Sequence, residues 1–145
     1  MCIRDRYCRL CHSRMEDVKH IFIHCEVSSF IWGLVFNWWG IFWVPSKSVI
    51  DTILAWKGLG PAWWWRFWSR IGYIVFWKLW LLRNSVVFNQ VMESCPIVFG
   101  KIQNHSFSIL WLANAIRRDK SFSDWQNNPS SCLRRNRNRS SLLPL

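Results

Sequence analysis

Cys8, Cys11, His20 and Cys25 are the residues whose types and spacing could do chemistry in this chain. They read C-x2-C-x8-H-x4-C, three thiols and one imidazole within eighteen residues. Zinc takes four soft or borderline donors in a tetrahedron, and Cys3His is one of its usual closed structural sets. A closed set leaves no position for substrate, so one structural Zn2+ is expected rather than a catalytic one. Two residues between cysteines let a tight turn aim both thiolates at one point. The second pair is less regular. On a straight helix His20 and Cys25 would point about 140° apart at roughly 100° per residue, so the helix must unwind or bend between them. His24 competes, because His20 and His24 at i, i+4 share one helical face. His20 with Cys25 is preferred because that set uses three thiolates. The alternative is a group of unrelated buried cysteines and surface histidines, for free cysteine is among the most buried residue types.

Cys8-x2-Cys11 followed by Glu16-Asp17-x2-His20-Ile21-x3-Cys25-x6-Trp32 resembles the zinc-binding domain found after the reverse transcriptase in plant LINE-type (non-LTR) retrotransposons. That family usually has Glu-Thr or Glu-Ser where this chain has Glu16-Asp17, but Asp17 can still cap a helix beginning at Val18. Downstream, the stretch from Phe76 to Phe88 is similar to the W-x2-W-x2-RN-x3-F element of those C-termini, with Trp77, Trp80, Arg83, Asn84 and Phe88 in its places. The resemblance covers residues 7 to 115. It implies a piece lying beyond the catalytic domain, with no polymerase or nuclease activity of its own and with the rest of a polyprotein as one partner.

The charge balance points the same way. Nineteen basic residues against eight acidic ones give +11, which calls for a polyanion or an anionic membrane. The metal loop carries Arg6, Tyr7, Arg9, Arg14 and Lys19, and a ring among cations is what binding to single-stranded RNA or DNA uses. Arg134, Arg135, Arg137 and Arg139 add nonspecific phosphate attraction or a nuclear import signal. Each of these charges reads equally well as a solvated surface. No Gly-rich phosphate loop, G-x-S-x-G or H-E-x-x-H is present, and the acids are scattered singly apart from Glu16-Asp17. No enzyme, no catalytic residue and no small-molecule substrate are therefore expected. A reading from another class is a docking domain that uses its tryptophan-rich helices against a larger protein. A third is a decayed retroelement fragment without a selected function.

The elements that must position these residues are helical. Thirteen tryptophans in 145 residues have to be packed away or they leave sticky surface. The pattern predicts a mainly α fold, a small Cys3His zinc-stapled unit followed by a four-helix tryptophan-rich bundle and a basic disordered tail. Phe30, Leu34 and Trp38, beside Ile31 and Val35, predict a first helix ended by Gly40. Ser46 is the expected cap of a short second helix through Val49, Ile53 and Trp56, closed by Gly58 and Gly60. Pro61 opens the longest helix, over 62 to 88, with two apolar stripes. One stripe runs through Trp63, Phe67, Ile74, Trp77, Leu81 and Phe88. The other runs through Trp64, Trp68, Val75, Leu79, Leu82 and Val86. Such a wide arc predicts a central helix with neighbours on two sides, and Gly72 either weakens it or admits a close neighbour. A membrane span is not expected, because Arg66, Arg70 and Lys78 interrupt the helix and Ile71 to Trp77 is its longest uncharged run. Ser94 and Pro96 open a fourth helix running to Arg118, with Val98, Ile102, Ile109, Leu112, Ala113 and Ile116 inward and His105 alone, solvated or hydrogen-bonded.

The organisation expected is a leader over 1 to 6, a zinc-binding unit with its helix over 7 to 40, a helical region over 41 to 118, and a disordered basic tail over 119 to 145. Met1-Cys2-Ile3-Arg4-Asp5-Arg6 looks like the translated read-through of a sequencing adapter, so the leader is expected to be non-native or disordered. With no secretory signal ahead of the cysteines, a reducing nuclear or cytoplasmic location is expected, with metal ligation rather than disulfides. Cys2, Cys95 and Cys132 are left without recognisable chemistry.

Overall fold

A computed structural model of the chain describes residues 7–42, 48–58 and 62–134. Its helices are α1 (Glu26–Trp38), α2 (Val49–Ala55), α3 (Trp65–Asn89), α4 (Cys95–Leu112) and α5 (Phe122–Asn127). Short 3-10 segments lie at Trp56–Gly58, Ala62–Trp64 and Pro129–Cys132, and a π-helical turn at His20–His24. The molecule is mainly helical, with no strand among the described residues. Only the isolated bridges Tyr7 to Met15 and Ile116 to Leu133 pair extended backbone there.

Local signals set the helix ends. Gly40 closes the first helix at φ +68°, a left-handed conformation that glycine adopts without penalty. Ser48 starts α2 by accepting the N–H of Asp51 on its side chain. Ser46, the residue expected to cap it, lies outside the described residues, as do Gly60 and Pro61.

α3 is central, with α4 against one side and the π-turn and the Trp56–Gly58 segment against others. By length and composition it is apolar enough to cross a bilayer, yet Phe67, Trp68, Ile71, Val75, Leu79 and Leu82 are buried within the protein. Gly72 admits the close neighbour: a Cβ there would come within 2.2 Å of the Trp56 ring. The two stripes expected on this helix are not equivalent. Trp68, Val75, Leu79 and Leu82 of the second enter the core with Phe67 and Ile74 of the first, whereas Trp77, Leu81 and Phe88 of the first are exposed, Trp77 to 53 %. The apolar arc is wider than the core it meets, so its outer edge faces water.

A second correction concerns α4. It stops at Leu112 rather than Arg118, because Asn114 turns left-handed at φ +59° and the Ala115 N–H returns to the Leu110 carbonyl. Leu110 is the buried residue, while Leu112 is 84 % exposed. His105 stays on α4, half-buried, with its Nδ1 lacking a hydrogen-bond partner among the described residues. Past Asp119 the chain does not dissolve. A capping box of Ser121 and Asp124 starts α5, and Trp125 packs edge-to-face against both Trp38 and Trp39 at ring separations of 5.3 and 5.8 Å. Its indole donates to Ser106 Oγ, and Trp38 donates to its carbonyl. Leu133 then pairs with Ile116. One apolar core runs from Cys8 to Leu133.

Candidate metal centre

The metal loop begins as a closed turn. Tyr7 bridges Met15, the Cys8 N–H donates to the Arg14 carbonyl, and the His12 N–H returns to the Cys8 carbonyl. His12 takes the left-handed conformation at φ +58° that the tight reversal requires. The N–H groups of Leu10 and Ser13 point at the sulfurs of Cys8 and Cys11, at 3.4 and 3.5 Å. Each thiolate thus has a backbone donor two residues on.

The second pair of donors depends on the π-turn. Asp17 Oδ1 accepts the His20 N–H at 2.7 Å and starts the turn, in the capping role its position suggested. The Cys25 N–H then bonds the His20 carbonyl at 2.7 Å, an i→i+5 link. This wider winding is the unwinding that His20 and Cys25 need to face one point. A π-turn leaves carbonyls without their usual α-helical partners, and α1 supplies the missing donors. Ser28 Oγ donates to the Ile21 carbonyl, Trp32 Nε1 to Phe22 and Ser29 Oγ to Ile23. The tryptophan seven residues after Cys25 is therefore a cap for the metal-bearing turn.

Cys8, Cys11, His20 and Cys25 bring one donor atom each into a group whose members lie within 4.8 Å of one another. The sulfurs of Cys8 and Cys25 are 3.7 Å apart, and Cys11 Sγ is 3.2 Å from His20 Nε2. A tetrahedron with metal–sulfur bonds of about 2.3 Å has edges of roughly 3.7 Å, so the donor set fits a metal ion. His24 is exposed and stands outside the group. Electrostatics favour a cation as well. Burial, then the crowding of Cys8, pushes the Cys25 thiol up to about 12, and burial raises Cys8. Burial also opposes ionisation of Cys11, but the Ser13 N–H and contacts with His20, Cys25 and Cys8 outweigh it and bring that thiol to about 6. One thiolate forms readily and the next two are resisted, until a divalent ion supplies the opposing charge. The described cysteines are all free thiols, and Cys95 and Cys132 lie apart from the metal-binding group.

Glu16 joins the metal loop to the central helix. Its Oε2 accepts the Arg9 N–H at 3.2 Å, and its Oε1 meets Arg83 at 2.8 Å. Arg83 lies 5.1 Å over the Trp80 ring, and Phe22 of the π-turn packs edge-on against Phe76. The sequence shows Glu16 only as a motif residue beside Asp17 and does not reveal this pair. The signal lay in the two motifs, each of which contributes one partner.

The expected nucleic-acid contacts are dispersed. Tyr7 is 40 % exposed. Arg14 and Lys19 are exposed on an open groove of about 620 Å3 that they share with Asp17 and Glu26. Arg9 is half-buried beside Glu16, and Arg134 is the last described residue, its N–H held by the Ala115 carbonyl. Arg6, Arg135, Arg137 and Arg139 lie outside the described residues. No protein-family model, curated protein or solved structure matches the chain.

Proposed function

We propose that the chain is a zinc-binding, nucleic-acid-binding accessory module without catalytic activity of its own, derived from the C-terminal region of a LINE-type reverse transcriptase polyprotein. Cys8, Cys11, His20 and Cys25 would hold one structural Zn2+, which would clamp the loop and π-turn against α1 and α3. The observation that carries the reading is the contact between Glu16 and Arg83. It joins in space the two motifs on which the retroelement resemblance rests, so they act as halves of one device. The charge of +11 supports single-stranded RNA or DNA as ligand, and free thiols suit a reducing nuclear or cytoplasmic compartment. The test is binding of a single-stranded oligonucleotide to the zinc-loaded protein across salt concentrations. Affinity that falls steeply with salt is the expected result. Absence of binding at low salt overturns the nucleic-acid role.

A second reading, docking onto the remainder of a polyprotein, is favoured by one observation. Phe88, Val91 and Met92 are exposed together at the end of α3. Apolar docking at that end would be insensitive to salt.

A further inference from the structure

The 25 residues of α3 include Arg66, Arg70, Lys78 and Arg83 and no acidic residue. At the helical spacing Arg70, Tyr73, Trp77, Trp80 and Asn84 fall on one arc of about 80°. Tyr73 and Trp77 are each 53 % exposed and Trp80 is 37 % exposed. Trp77 makes no ring contact among the described residues, and Trp80 is backed by the Arg83 guanidinium. The three rings step along the axis by about 6 and 4.5 Å, a spacing that suits successive unstacked bases.

Around the helix from this face, between α3 and α4, lies a cavity of about 220 Å3 whose walls include Lys78, Ser85, Glu93 and Lys101. Glu93 is taken by Lys101 at 2.5 Å. Lys78 faces this cavity, about 100° around the helix from Trp77; the cation on the aromatic arc itself is Arg70, which forms no ion pair among the described residues.

We infer that the outer face of α3 is a platform for single-stranded nucleic acid, with bases stacked on Trp77 and Tyr73 and a backbone phosphate at Arg70. This rests on the nucleic-acid role proposed above and moves its site from the metal loop to the central helix. The loop cations Arg14 and Lys19 share their groove with two carboxylates, whereas Glu16, which reaches the α3 face at Arg83, is already ion-paired there. An apolar protein partner would bury Arg70 without counter-charge, which is unfavourable.

The experiment measures binding of a fluorescently labelled oligouridylate to the zinc-loaded full chain. Trp77→Ala is expected to weaken binding by about fivefold or more, the worth of one base–aromatic stack. Its melting midpoint should stay unchanged, because the ring is exposed. Arg70→Gln is expected to reduce the slope of log affinity against log salt by about 0.7, the share of one phosphate on a single strand. It remains informative should Trp77→Ala fold poorly. Wild-type affinity and slope in both variants, with the parent protein binding, would remove the platform and leave the nucleic-acid role standing. No binding by the parent protein would end both. Two other results overturn the platform. One is Trp77-dependent binding to phosphatidylserine vesicles that the oligonucleotide does not displace. The other is a dimer that Trp77→Ala converts to monomer with unchanged oligonucleotide affinity.

Discussion

At the scale of single residues, the donor set was legible because zinc chemistry constrains both ligand type and spacing. The misfit between His20 and Cys25 was legible too, since a five-residue step cannot face one point on a straight α-helix. What the spacing could not reveal was how the wound-out turn is stabilised. Ser28, Ser29 and Trp32 are ordinary helix residues by pattern, yet each donates to a carbonyl of the π-turn. Metal analysis by mass spectrometry under reducing conditions is expected to give one zinc per chain. Cys11→Ser and His20→Ala should lose it, while Cys95→Ser, Cys132→Ser and His24→Ala should keep it. Zinc lost in His24→Ala and kept in His20→Ala would mean that the exposed imidazole is the ligand and that the turn reorganises on loading.

At the scale of elements, long periodic helices were readable and their orientations were not. α3 carries apolar residues over about half its circumference, and periodicity alone does not say which edge of so wide an arc meets the core. The answer lies in the partners: Trp56 enters at Gly72 and fixes the inward face. α5 was overlooked because six residues are too short for periodicity, though Ser121-x2-Asp124 is a capping box visible in the sequence. Trp125 makes that short helix structural, filling the space between α1 and α4 with no exposed surface. Trp125→Ala is therefore expected to destabilise the protein by about 3 to 5 kcal/mol, through lost burial and a cavity. Trp77→Ala should change stability by only about 0.5 kcal/mol. Denaturant midpoints separate the two, and equal shifts would mean that α3 is rotated from the orientation described. The tryptophan core also carries a cost: the indole N–H groups of Trp39, Trp56, Trp64 and Trp68 are buried without a hydrogen-bond partner among the described residues.

At the scale of the whole molecule, the metal loop is part of the helical core rather than a bead attached to it. Cys8, Leu10 and Cys25 belong to the same apolar cluster as Trp125 and Leu133. Three kinds of contact cross from loop to helices: the Glu16–Arg83 ion pair, the Phe22–Phe76 ring contact and the Trp32–Phe22 hydrogen bond. A ligand that binds only the folded state stabilises everything that folds with it, by an amount set by its concentration over its dissociation constant. Chelation should therefore lower the melting temperature of the helices themselves, within a single transition, rather than release the loop and leave the bundle intact. Circular dichroism at the helical band with and without chelator checks this. Glu16→Gln sharpens the comparison, because it removes the charge of the link while keeping all four metal donors. The Glu16–Arg83 pair is only partly exposed, with side-chain accessibilities of 15 % and 22 %. Its loss is expected to cost about 1 kcal/mol and to leave zinc stoichiometry at one. A helical melting curve that ignores both chelator and Glu16→Gln would uncouple loop from bundle and make the metal a local clamp only.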